Sequence, residues 1–359
     1  MKKSKLLSAV FRITLVVAIV AFVAMGQAWA SDYKAGDRFL VGLSIRGLAN
    51  PYYIELVQGV QKFIDRTPGA ELVIMEFHSD DQKQINDVKA FAARGIPAIL
   101  YIDPQSQAVC PEVAEVCEDA EIYWTSAYTL GKDIYPWTYR YFVSHQALDD
   151  VTAGYEVAKS MFMKFDGKPA TILCMAGELS NLASINRIKG LEKALEEFPN
   201  VTLLDTQPAD WDSQKALNVA QTWLTRYSDV NGIWVANDGM AVAVVEALKS
   251  KGLNGIIQVT GVDCIPTGLD AVINGDMSAT FYPYPKLMGG YGVAMAYAAL
   301  SGKIDPDELT REQSCYLTPG ELVTSENAAT FKADIIDKDP EIDFDNPLTW
   351  GIGILEVDE

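Results

Sequence analysis

No stretch constrains the fold more than residues 205–263, DTQPADWDSQKALNVAQTWLTRYSDVNGIWVANDGMAVAVVEALKSKGLNGIIQVTGVD. Two short apolar runs, Gly232-Ile233-Trp234-Val235-Ala236 and Ile256-Ile257-Gln258-Val259-Thr260, are each preceded by a segment of helical period. Runs this short between amphipathic helices predict parallel strands buried on both faces. Each is followed by polar residues, Asn237-Asp238 after the first and Asp263 after the second. Ligands of open parallel sheets sit outside the carboxyl ends of the strands, which makes Asn237 and Asp263 candidate ligand contacts. Helix capping is the competing role for both residue types, and Asp238 fits that role better. Trp211 lies in the loop before the first helix, between Asp210 and Asp212, placed to offer an aromatic face to the same ligand.

The same alternation runs through the rest of the chain. Strands are predicted at 38–44, 71–77, 98–102 and 122–124, with helices at 52–66, 80–94 and through Cys117. The first strand leads into Ile45-Arg46-Gly47-Leu48-Ala49-Asn50-Pro51, whose Asn-Pro is a helix-start signal. After an irregular aromatic stretch, 131–141, the pattern resumes with a helix at 150–164, a strand at 170–175, a helix at 184–198 and a strand at 201–204. Repeated β-α units with right-handed crossovers imply two doubly wound α/β lobes and a cleft between them.

The first 30 residues read as an export signal: Met1-Lys2-Lys3-Ser4-Lys5, an apolar run from Leu6 to Met25, and the small-x-small site Ala28-Trp29-Ala30. Cleavage near Ala30 leaves about 329 residues, room for two domains. The whole chain carries −19, and without the four cations of the signal the remainder carries −23. So acidic a chain argues against nucleic acid, whose capture depends on Lys and Arg neutralising phosphates. Five cysteines leave at least one thiol without an intramolecular partner. Cys110 and Cys117 would lie about two turns, ~10 Å, apart on one helix, too far for a bridge. The simplest role for the cysteines is small buried residues. His78 and His145 are expected at the surface or the hinge, and neither they nor any cysteine pair has metal-ligand spacing.

Four pieces, in this order and spacing, resemble the periplasmic sugar-binding proteins of the ribose-binding type: Ala49-Asn50-Pro51-Tyr52-Tyr53, Gln207-Pro208-Ala209-Asp210-Trp211-Asp212, Ala236-Asn237-Asp238-Gly239-Met240-Ala241 and Thr260-Gly261-Val262-Asp263. The resemblance covers nearly all of the chain after the signal. It implies two Rossmann-like lobes with parallel sheets joined by a three-segment hinge, the type I periplasmic binding protein fold. The N-terminal lobe is then expected at 38–144 plus 286–319 and the C-terminal lobe and tail at 147–281 plus 322–359, with crossings near 144–146, 281–285 and 319–322. Carried over residue by residue, Asn50 would bond a ligand hydroxyl, Tyr52 and Tyr53 would pack on its ring, and Trp211 would stack on the opposite face. Asn237 and Asp263 would bind hydroxyls from the second lobe; Asp accepts and Asn does both, matching hydroxyl groups.

Departures from the family pattern rearrange the polar contacts. Thr125-Ser126 stand where an Asp-Arg pair follows the fourth strand, Ile185 stands where a ligand-binding Arg opens a helix, and Pro283 replaces a crossing Gln. Arg46 occupies a position usually small and polar. Arg46, Thr125, Asn181 and Trp137, the last expected to reach over the cleft mouth, complete the candidate set; Trp124, Tyr282 and Glu178 are further candidates on the same argument. Ribose itself is not the expected ligand; a polyol, a cyclitol, a modified sugar or a sugar acid paired with Arg46 remain open.

Enzyme readings find no support: there is no Gly-x-Ser-x-Gly elbow, no phosphate-binding Gly-x4-Gly-Lys-Ser/Thr loop and no Cys-His pairing. The chain is therefore read as a periplasmic, monomeric, non-enzymatic solute-binding protein without a cofactor. It would hand a sugar-like ligand to the membrane permease of an ABC transporter. The alternative is a sensory receptor for a furanosyl or sugar-like signal, read by a chemoreceptor or sensor kinase.

Overall fold

The computed structural model describes residues 33–357, so the expected export signal, residues 1–30, lies outside the described residues. Chain order is β1 (Phe39–Ile45), α1 (Pro51–Arg66), β2 (Ala70–Glu76), α2 (Asp81–Ala92), β3 (Ala98–Ile102), α3 (Val109–Ala120), β4 (Tyr123–Ala127) and β5 (Phe142–Leu148). There follow α4 (Asp150–Met163), β6 (Ala170–Ala176), α5 (Leu182–Glu197), β7 (Val201–Pro208), α6 (Ser213–Arg226), β8 (Gly232–Val235), α7 (Asp238–Lys249), β9 (Gln258–Thr260) and α8 (Pro266–Ile273). Apart from short helical turns, there follow β10 (Ala279–Tyr282), α9 (Pro285–Leu300), β11 (Cys315–Thr318), β12 (Glu321–Thr324) and β13 (Gly353–Ile354).

The strands form two sheets, a seven-stranded one ordered β13-β11-β5-β4-β3-β1-β2 and a six-stranded one ordered β12-β10-β9-β8-β6-β7. All pairings are parallel except those of the edge strands β12 and β13. All seven residues of β1 and all four of β8 are buried, the mark of strands covered by helices on both faces. Edge strand β7 is buried only at Val201 and otherwise runs through half-buried and exposed positions. Among the described residues no helix is long and apolar enough to cross a membrane. This is the type I arrangement of two α/β lobes.

Glycines set the closest helix approach. Gly154 on α4 and Gly190 on α5 lie against each other's backbone, and a Cβ at either would collide with carbonyl oxygens of the partner helix. That contact brings Arg187 on α5 within reach of Asp150 on α4, which becomes important at the site.

The chain passes between the lobes after Leu148, at Pro283-Tyr284 and at Pro319-Gly320. Residues 144–146, expected as the first crossing, are instead in the middle of β5, because buried strand character continues to Leu148. His145 is correspondingly fully buried, with Nδ1 2.7 Å from Ser126 Oγ and its pKa lowered to about 3 by burial, and not at the surface.

The tail departs most from expectation. Residues 322–359 do not all belong to the second lobe. Ala328–Phe331 packs there, Phe331 against Tyr282, but the chain then returns. Asp339 meets Lys62 at 2.8 Å and Lys286 at 3.2 Å, both on first-lobe helices. Ile342 is buried, Phe344 packs on Phe63, and Trp350 stacks on Tyr291 with centroids 5.1 Å apart. Trp350 Nε1 donates to Gln146 Oε1 at 3.1 Å, and β13 pairs with β11 in the first sheet. The driving force is burial of these apolar side chains, which acidic punctuation in the sequence obscures. The tail is thus a fourth strand of chain spanning both lobes. Trp350→Ala should cost ~3–5 kcal/mol, the usual loss for emptying an aromatic core site; chemical denaturation measures it, and a loss under ~1 kcal/mol would mean that the tail is dispensable to the first lobe.

Candidate functional site

The carboxyl ends of the strands face one another across the cleft, and the loops there line a cavity. It holds about 420 Å³ of space between atoms, its open mouth included. Arg46, Asn50, Tyr52, Tyr53, Asp103 and Tyr128 line it from the first lobe, and Asn181, Ala183, Arg187, Trp211, Asn237 and Asp263 from the second.

Three asparagines hold equivalent places. Asn50, Asn181 and Asn237 are the N-caps of α1, α5 and α7, accepting at Oδ1 from Tyr52 N, Ala183 N and Met240 N at 3.0–3.1 Å. Capping fixes which end of each amide is the acceptor, and so leaves each Nδ2 to donate elsewhere. That of Asn181 reaches Thr129 Oγ1 at 3.4 Å, and that of Asn237 reaches Asp263. Capping and facing the cavity are therefore compatible roles, not alternatives.

The aromatic residues carry their own partners. Tyr52 Oη donates to Tyr128 Oη at 3.0 Å, and Tyr53 Oη to Asp103 Oδ2 at 2.6 Å. The two rings of the pair Tyr52 and Tyr53 meet edge to face at 5.1 Å. Burial holds all three tyrosine hydroxyls protonated, their pKa values well above the ordinary range. Trp211 sits in the left-handed region, φ 62°, and its indole lies directly on the backbone of Gly177.

Charge in the cavity is tightly matched. Arg187 is 3 % exposed. Its Nε donates to Asp150 Oδ1 at 2.7 Å and its Nη1 to the Ala236 carbonyl at 2.8 Å, with Asp263 Oδ1 3.7 Å away and the Trp211 ring at 5.7 Å. Burial raises the carboxyl of Asp263 to about 7, with Arg187 opposing, and raises Asp103 to about 6. Asp263 also sits at a strained φ of 110°, the kind of backbone outlier that clusters at binding sites. Asp238, fully buried, accepts from Thr280 Oγ1 at 2.8 Å and Ile265 N at 3.0 Å, so it anchors the Asp263 loop from behind. Arg46 Nη1 donates to Ser79 Oγ at 2.5 Å and to Glu178 Oε2, across the cleft, at 3.1 Å.

Not every expected position lines the cavity. Thr125 is fully buried within β4, its Oγ1 donating to the Gly292 carbonyl at 3.0 Å. The strand runs on to Ala127, so the residue at its carboxyl end is Tyr128. Trp137 stacks on Tyr135 at 5.0 Å, under the Arg311 guanidinium at 4.4 Å. Its segment buries Ile134, Tyr135 and Pro136 in the first lobe and does not reach the cleft mouth. Trp124 is core, stacked on Phe142.

Sequence reasoning missed Asp103, Tyr128, Ala183 and Arg187. Asp103 ends a predicted strand, so the rule that selected Asn237 and Asp263 applies to it equally. Arg187 is two residues beyond Ile185, on the same helix face as the cleft. All five cysteines are buried and unbridged, and burial raises Cys110, Cys174 and Cys315 to about 12, which leaves those thiols unreactive. Gly177→Ala should displace the Trp211 indole from the cavity wall while leaving the fold intact; a shift in tryptophan emission or in the indole NMR resonance reads it, and an unchanged signal would show that the loop accommodates the methyl group.

A profile of the family described as "Periplasmic binding protein domain" matches residues 41–304. The ribose import binding protein of Salmonella typhimurium is 30 % identical over 285 residues, 79 % of this chain and 92 % of the relative. The xylitol-binding protein of Mycolicibacterium smegmatis is 27 % identical, over 77 % of this chain and 78 % of its own. Among solved structures, the twin-arginine translocation pathway signal protein of Burkholderia phytofirmans superposes with a TM-score of 0.84 at 33 % identity, covering 89 % of this chain and 99 % of that one. The chain therefore belongs to the periplasmic binding protein family, among the sugar-binding proteins of the ribose-binding type.

Proposed function

We propose that this chain is an exported, monomeric solute-binding protein that captures a neutral sugar-like ligand between its lobes and delivers it to the membrane permease of an ABC transporter. The cavity carries this reading. It offers carboxylate acceptors (Asp103, Asp263), amide donors (Asn50, Asn181, Asn237) and aromatic walls from both lobes (Tyr52, Tyr53, Trp211). Hydroxyl groups donate and accept, so a polyhydroxy ring meets both kinds of partner, and its C–H faces suit the aromatic rings. Both guanidiniums already have carboxylate partners, which favours an uncharged ligand. Contacts from two lobes exist only when the cleft is shut, so the ligand has differential affinity for the closed state and shifts the population toward it.

A thermal-shift screen of pentoses, hexoses, polyols and cyclitols tests the reading. A ligand at 100 times its Kd adds about 2.7 kcal/mol of stability, and failure of every neutral compound to raise Tm would reject it. Asn50→Asp separates capping from binding. Asp caps as well as Asn, so stability should hold while the exchange of a donor for a carboxylate weakens the stabilising compound by roughly tenfold, about 1.4 kcal/mol; unchanged affinity would leave Asn50 as a cap only.

Proton linkage gives a third test. A hydroxyl donating to ionised Asp263 or Asp103 favours the charged form and lowers a carboxyl pKa that burial had raised to about 7 or about 6. Binding at pH 6 should therefore release protons, and affinity should rise with pH and level off above about 7. Calorimetry in buffers of different ionisation enthalpy reads the release; proton uptake on binding would contradict the assigned contacts.

A further inference from the structure

Arg46 is the guanidinium that lines the cavity from the first lobe, and its salt-bridge partner comes from the other lobe. Glu178, in the loop after β6, reaches across the cleft. Its Oε2 accepts from Arg46 Nη1 at 3.1 Å, and its carboxylate accepts from Gln105 Nε2 at 2.5–2.6 Å and from Ser180 Oγ at 3.3 Å. The pair is mostly removed from water, with side-chain exposures of 13 % and 22 %.

The first-lobe half of this contact is built in advance. Gln84 is fully buried and lies behind it, donating through Nε2 to Ser44 Oγ and to the Asp103 carbonyl, both at 3.0 Å, and accepting at Oε1 from Gln105 N at 2.9 Å. The backbone that presents Asp103 to the cavity therefore also presents Gln105 to Glu178. Arg46 is held in turn by Ser79 Oγ and lies 5.7 Å over the Phe77 ring. Only Glu178 arrives from the second lobe.

Around the closed cavity, Asp103, Asp150, Asp263 and Glu178 face Arg46 and Arg187. Arg187 is already committed to Asp150, so Arg46 is the place where a ligand carboxylate could be neutralised. Glu178 occupies that place. An acidic sugar reaching Arg46 would bring its carboxylate beside that of Glu178, and like charges so juxtaposed are strongly disfavoured.

We infer that Glu178 is the specificity-determining residue that excludes anionic ligands, by closing the cleft as the built-in counter-ion of Arg46. The inference rests on the proposed capture of a neutral sugar-like ligand. Its charge is what matters, because Gln fills the same volume and can still accept a hydrogen bond.

The test compares wild type with Glu178→Gln by calorimetry against matched pairs, a neutral aldose and the uronate of the same configuration. The affinity ratio of uronate to aldose should rise at least ~10-fold in the variant, and Arg46→Ala in the same background should abolish the gain. A ratio unchanged in Glu178→Gln, or a wild type that prefers the uronate, overturns the inference. If no neutral compound binds wild type, the proposed function has failed, and lobe separation alone decides about Glu178. Fluorophores on Ile74→Cys and Ile256→Cys, exposed positions on the two lobes, label selectively because the native cysteines are buried. Energy transfer in the ligand-free protein should fall in Glu178→Gln; unchanged transfer would leave Glu178 no part in closure and overturn the inference on this measure too.

Discussion

A guanidinium that never gives up its proton is buried in the second lobe, and the local architecture is organised around keeping it paired. Arg187 joins four separate segments: α4 through Asp150, the end of β8 through the Ala236 carbonyl, the strained loop through Asp263, and the α6 approach through the Trp211 ring. A buried ion pair of this kind adds little net stability, because desolvation offsets attraction, yet losing one partner costs ~3–5 kcal/mol. Its value lies in geometry. The groups that Arg187 fixes are those that form the second-lobe wall of the cavity, so the wall exists before anything enters it. The Gly154–Gly190 contact is what allows this, since any side chain there would push α5, and Arg187 with it, away from Asp150.

The first lobe achieves the same pre-organisation with neutral groups. Gln84 ties β1, the turn after β3 and Gln105 together without any charge. The two lobes therefore present differently built walls, one held by an ion pair and one by amides, and they meet through Glu178 and Arg46. What the hinge must align is a small number of rigid loops, not a set of mobile side chains.

Much of this was legible in the sequence and the reasons are physical. Alternation of short β-branched runs with helical periods gave the two α/β lobes, and the polar residue at a strand end found Asn237 and Asp263, both of which line the cavity. Local signals failed where tertiary context decides. Thr125 and Tyr128 belong to one apolar-polar transition, and only the pairing of β4 with its neighbours shows that the strand continues to Ala127. Trp137 was expected over the cleft mouth, but its ring lies under the Arg311 guanidinium, some 170 positions away. Glu178 was only a further candidate, and nothing local shows that its carboxylate crosses the cleft to Arg46. The tail was hardest: residues 322–359 were expected with the second lobe, whereas Ile342, Phe344 and Trp350 dock its end on the first.

That docking bears on how the molecule is assembled. The seven-stranded sheet takes β1 to β5 from the first part of the chain, β11 from beyond the β6–β10 run of the second lobe, and β13 from its end. The six-stranded sheet needs only one late strand, β12, after an otherwise continuous run from β6 to β10. A polypeptide emerging N-terminus first can thus nearly complete its second lobe while the edge of its first lobe is still missing. The first lobe must hold an open strand edge on β5 until more than 160 residues have followed, a long loop to close before the final contacts stabilise it. Neither lobe can be cut out as a contiguous folding unit, and the last dozen residues of the described chain decide when the first half is finished.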